Sequence, residues 1–164
     1  MDKAELLRSI ERAWASLDEL TAGLTDTQLA RSGADGWSVK DHLAHLAAWN
    51  LSLVALLDGR DRQAALGVWD VPREADPIND LLHRRYLGLV PDEAKAFQEG
   101  SRQMLREALA GLTDADLSRP YSHFQPNEVR PDGDGDQPVL GWIHGNTDEH
   151  AEEHAAYIRQ LIGP

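Results

Sequence analysis

Apolar residues recur every three or four positions over most of this chain. Between residues 3 and 21 they fall at Leu6, Leu7, Ile10, Ala13, Trp14, Leu17 and Leu20, one stripe of an amphipathic helix. "AGLTD" from Ala22 ends the run, with Gly23 placed to take a left-handed cap. A second helix is predicted from Ser38, where "SVKD" is a capping box with Asp for Glu, to about Asp58. "GRDRQAALGVWDVPREADP" follows with Gly59, Gly67, Pro72 and Pro77 and no period, so it reads as a long crossover. Periodicity resumes near Ile78, breaks near Gly88 to Pro91, and continues through Phe97, Met104, Leu105 and Leu109. A last helix is predicted from about Val139 to Ile162.

The pattern repeats. "AGLTDTQLARS" begins at Ala22 and "AGLTDADLSRP" begins 88 positions later at Ala110, with seven of eleven residues identical. Further on, "WSVKDHLAH" separates Trp37 from His45 by eight residues, and "WIHGNTDEH" does the same for Trp142 and His150. The offset has become 105, so the second copy carries 17 extra residues, for which the irregular stretch Tyr121 to Pro138 has room. At this offset Asp41 aligns with Asn146 and Trp49 with His154. Two helical hairpins related by an approximate two-fold and joined by the crossover account for this. The predicted fold is one all-α domain over residues 1–164, a four-helix bundle running up-down-down-up. Similar turn chemistry in two unrelated hairpins is the alternative.

A two-fold brings equivalent helices together, and the equivalent positions hold histidines. His150 and His154 are one turn apart and share a helix face, and His45 would approach from the facing helix. Three imidazoles suit a divalent ion with a position left for water or substrate. Partly exposed histidines on polar faces would give the same spacing without a site. Asp41 and Asn146 stand one turn before a histidine on the same face, from where either could orient it, or simply cap a helix. Trp49 is a candidate cavity wall. Glu153 is the better placed of two flanking acids for proton transfer. His42, His83, His123 and His144 have no partner at metal spacing and are read as ordinary polar residues. Imidazole binds metal when neutral, so affinity is expected to weaken as pH falls through about 6.5.

Composition removes several alternatives. There is no cysteine among 164 residues, so any metal is held by nitrogen or oxygen, and a reducing cytoplasm suits the chain. No stretch approaches the roughly 20 apolar residues of a membrane span, and "MDKAELLRSIERAW" has no apolar core flanked by a cleavage site, so a protein that is not exported is expected. A net charge of −12 is the wrong sign for binding nucleic acid. "HAEEH" satisfies an inverted zinc-peptidase motif, but only ten residues follow it, too few to supply the downstream acidic ligand. "DGDGDQP" starts like a calcium loop at Asp132, Asp134 and Asp136, then fails at Gln137 and Ile143, and reads as an acidic loop.

"WSVKDHLAHLAAWN" together with "GNTDEHAEEHAAYIRQL" resembles the DinB-like superfamily of four-helix bundles. "LVPDEAKAFQEGSRQMLREALAGLTDADL", with Asn79 in "PINDLL", resembles its ClbS/DfsB branch. The resemblance implies a nickel or zinc ion on His45, His150 and His154, although "AAYI" stands where the superfamily often has "RGQI". It implies hydrolysis, or transfer of a low-molecular-weight thiol, on a reactive small molecule in detoxification or self-resistance. A non-catalytic, stress-related binding bundle is the alternative it leaves open. Relatives often pair, and tryptophans at 14, 37, 49, 69 and 142 suggest apolar surface beyond the needs of one core, so a homodimer is expected.

Overall fold

A computed structural model describes residues 1–68, 75–128 and 134–163. Helices in chain order are α1 Lys3–Thr21, α2 Asp26–Ala30, α3 Val39–Leu57, α4 Arg62–Leu66, α5 Ala75–Tyr86, α6 Pro91–Ala110, α7 Asp114–Leu117, α8 Tyr121–Phe124, α9 Val139–His144 and α10 His150–Ile162. A π-type turn, Gly145–Glu149, joins α9 to α10. The crossover is therefore not bare coil, since α4 lies inside it; Pro72 and Trp69 fall outside the described residues.

Paired side chains give the helix directions. Lys3 of α1 donates to the Ala110 carbonyl at the end of α6, and Arg106 pairs with Glu11, so α1 and α6 are antiparallel. Near its start α3 sends Lys40 to the Leu87 carbonyl ahead of α6, and further along Asn50 donates to Ser101, so α3 and α6 run together. His42 meets His154 and His45 meets His150, which makes α3 and α10 antiparallel. The result is an all-helical bundle in which α3 packs against α6 and α10, and α10 packs against α1. One apolar core is built from Leu6, Ile10 and Trp14 of α1, Leu53 and Leu56 of α3, Leu105 and Leu109 of α6, Ile143 of α9 and Ala151 of α10. In α3 all but a few residues are buried, so this helix has almost no solvent face.

The repeated turn has a physical explanation different from the predicted one. Gly23 does not adopt a left-handed conformation, and the C-cap of α1 is Ala22 in right-handed geometry. The repeat instead starts helices: Thr25 caps α2 with Gln28 reciprocating, and Thr113 caps α7 with Asp116 reciprocating. The shared leucine four residues after each cap, Leu29 or Leu117, is buried in the core. Thr113→Ala should cost about 1 kcal/mol, and Leu29→Ala about 2–5 kcal/mol, both read from urea unfolding.

The placement of the 17 extra residues also differs. Antiparallel bridges Ser32 to Ser38 and Pro120 to Pro138 close the two loops, and Ser38 and Pro138 are the N-caps of α3 and α9. The bridged residues are six positions apart in the first loop and eighteen in the second, and the other five of the 17 fall between the second bridge and His150. Trp37 thus precedes its helix while Trp142 lies inside one, and the two rings have different surroundings. Trp142 packs on Tyr121 at 4.7 Å, whereas Trp37 stacks on His83 at 4.4 Å. Trp14 is buried, and Trp37, Trp49 and Trp142 are partly so.

Candidate metal centre

Two helices supply the imidazoles. From α3 come His42 and His45, buried because the helix is surrounded, and from α10 come His150 and His154. One ring nitrogen from each of His45, His150 and His154 lies within 4.8 Å of the others. The Nε2 atoms of His45 and His150 are 3.2 Å apart. Two nitrogens each about 2.1 Å from one tetrahedral ion stand roughly 3.4 Å apart. The Nδ1 atoms of these two residues are buried without a protein partner. The donor set therefore fits a divalent ion held by imidazole.

Burial keeps the cluster uncharged. It pushes His45 down to about 3, with the neighbouring imidazoles adding to the effect. His150 is lowered to about 4 by burial against the opposing pull of Glu153, and His42 to about 4 by burial against Asp35 and Asp41. His154 is driven down further still, by burial first and then by the other three rings. All four are neutral at pH 7, the form that binds metal.

A cavity of about 330 Å³ opens beside the cluster, lined by all four of these imidazoles together with Asp35, Trp37, Asp76, Asn79, Glu153 and Tyr157. The loop before α3 provides Asp35 and Trp37, and α5 provides Asp76 and Asn79. The candidates from the sequence take separate places around it. Trp49 stands edge-on to the ring of His150 at 6.4 Å and tilted to that of His45 at 6.3 Å, and donates Nε1–H to Asn79 Oδ1. It does not line the cavity beside the histidines but a separate one of about 50 Å³, with Arg62 and Ile78. Glu153 is exposed at the cavity edge and accepts from the Tyr157 hydroxyl at 2.7 Å.

Asp41 and Asn146 do not touch a histidine of the cluster of three. Asp41 accepts from the Ser38 N–H and hydroxyl and from Lys40, with His83 Nε2 at 3.7 Å. Burial works against its ionisation, but the hydrogen bonds from Lys40 and Ser38 prevail and hold it below the usual carboxylate range. Asn146 returns its amide to the Trp142 carbonyl, and Thr147 returns its hydroxyl to that of Ile143. Such back-bonding bends a helix, and here it occurs in the π-type turn that leads into His150, a feature frequent at functional sites.

His42 and His83, set aside in the sequence, belong to this region. His42 Nδ1 is 2.8 Å from His154 Nδ1, and His83 lies flat against Trp37 with an interplanar angle of 9°. His144 pairs with Asp148, whose carboxylate also accepts from Ser9 of α1. The Asp132 of the acidic loop lies outside the described residues, and Asp134–Asp136 form a short 3-10 turn.

An all-helical bundle with three neutral imidazoles converging from two antiparallel helices defines a protein with a metal-capable core site. The chain belongs to the DinB superfamily, whose family model matches residues 9–158. Among solved structures, one described as "Sibling Lethal Factor Precursor - DfsB" has the same fold, with a TM-score of 0.64 and 24% identity, covering 98% of this chain and 94% of that one. No curated protein matches the chain. No helix among the described residues is long and apolar enough to cross a membrane.

Proposed function

We propose that this protein is a ClbS/DfsB-type member of its superfamily that destroys a reactive small-molecule electrophile, by hydrolysis or by addition of a low-molecular-weight thiol. The observation that carries the reading is the convergence of His45, His150 and His154 beside a cavity large enough for a small molecule. A nickel or zinc ion on these three uncharged ligands keeps its full charge, and would acidify a bound water or thiol and polarise a substrate oxygen.

The remaining groups have roles set by their positions. Trp37 and Tyr157 offer apolar walls to the substrate. Asn79, with Oδ1 engaged by Trp49, has its amide N–H groups left to orient a substrate carbonyl. Glu153 accepts a proton at Oε1, and the Tyr157 hydroxyl bonded to it can pass one on. Trp49 braces His45 and His150 from behind. Asp41 acts at a distance, by fixing the start of α3 and hence the height of His45 along the bundle.

The test is a panel of epoxides, strained cyclopropanes and β-lactones incubated with zinc-loaded, nickel-loaded and metal-stripped protein, with and without a low-molecular-weight thiol. Metal-dependent consumption is expected, and mass spectrometry separates water addition from thiol addition. Stoichiometric binding with no consumption of any probe would favour a binding bundle over an enzyme.

A further inference from the structure

We propose that His42 is the positioning residue for His154: it accepts the Nδ1–H of His154 and so turns Nε2 of that ring toward the metal. The inference rests on the metal reading above. Both side chains are buried, at 4% and 6% exposure, and their Nδ1 atoms are 2.8 Å apart, a distance that requires one shared proton. A neutral imidazole carries a single N–H. If His42 were the donor, His154 would hold its own proton on Nε2 and have no lone pair left for an ion. If His154 donates, Nε2 is free to coordinate and its ring is fixed in plane.

The second arrangement alone is compatible with His154 acting in the cluster. It leaves His42 with its proton on Nε2, on a ring that lines the cavity. His45 and His150 have no protein partner for Nδ1, so His154 is the one member of the cluster whose tautomer the fold specifies. A single helix, α3, thereby supplies both a ligand, His45, and the residue one turn earlier that orients the ligand arriving from α10. Outer partners of metal-bound imidazoles are worth about 10–100-fold in affinity.

The test compares zinc affinity, by chelator competition, in the wild type, His42→Phe and His42→Asn, with folding checked by circular dichroism. His42→Phe should bind about 10–100-fold more weakly, and His42→Asn, whose Oδ1 can stand near the lost Nδ1, should recover most of that loss. Long-range proton–nitrogen spectra of the zinc-loaded wild type should show His154 protonated at Nδ1 and coordinated through Nε2. Undiminished affinity in His42→Phe, an equal loss in both variants, or coordination through Nδ1 of His154 would overturn the proposal. If His42→Phe does not fold, His42→Asn and the tautomer spectrum decide. Wild-type protein that takes up no zinc would overturn the metal reading itself.

Discussion

Metal-free protein is expected to be several kcal/mol less stable at pH 5 than at pH 7. His42, His45, His150 and His154 are neutral in the fold because burial lowers each of them, to about 4, 3 and 4 for the first three and further for the last. In the unfolded chain each returns to about 6.5. Between those values the unfolded state binds more protons than the native state, so stability is full above about 6.5 and is lost as pH falls toward the folded values. Each ring contributes roughly 1.4 kcal/mol per pH unit in that window, about 2 kcal/mol by pH 5. Four rings together would remove a large share of the 5–15 kcal/mol typical of a domain. Asp41 and Asp148 are held below the carboxylate range, so their contribution is lost only at lower pH. Urea midpoints at pH 5, 6 and 7 in the presence of a chelator measure the slope. A flat series would mean that the imidazoles are solvated.

Periodicity placed the four long helices, and the repeat suggested which of them correspond. α1 meets α6 and α3 meets α10 in antiparallel fashion. What the repeat could not reveal was how 17 residues divide between a loop and a helix, because both accept the same residue types. His150 and His154 were legible because their spacing is that of one helix face, and His45 because the repeat sets it opposite His150. His42 was not, since spacing tests look for partners along a helix and its partner lies across the bundle. A signal was nonetheless present: "VKDHLAHLAAWNLSLVALL" is apolar on nearly every side, the mark of an enclosed helix, so any histidine within it has to be buried and find a partner. His83 escaped for a different reason, since its packing depends on how α5 folds back onto the loop bearing Trp37. The π-type turn before His150 depends on back-bonds from Asn146 and Thr147, which sequence periodicity does not register.

His150→Ala should abolish one-per-chain uptake of nickel or zinc, reducing affinity by more than the roughly 10–100-fold that an outer partner commands. The polar atoms of His150 are engaged least: its Nδ1 has no hydrogen-bond partner, and its Nε2 meets Nε2 of His45. Removing it also deletes a buried group that resists protonation, so the metal-free variant should lose less stability on acidification than the wild type. Those two effects have opposite signs and cannot both follow from general damage to the fold. Glu153→Gln, at an exposed carboxylate, should keep its metal. Burial also changes the pH expectation drawn from the sequence. Because the folded rings are already neutral at pH 5, affinity measured on folded protein should stay level from pH 7 to pH 5 rather than weaken through 6.5, while the metal-free form becomes less stable over the same range. Undiminished uptake in His150→Ala would put the ion on other ligands and detach the cavity from metal chemistry.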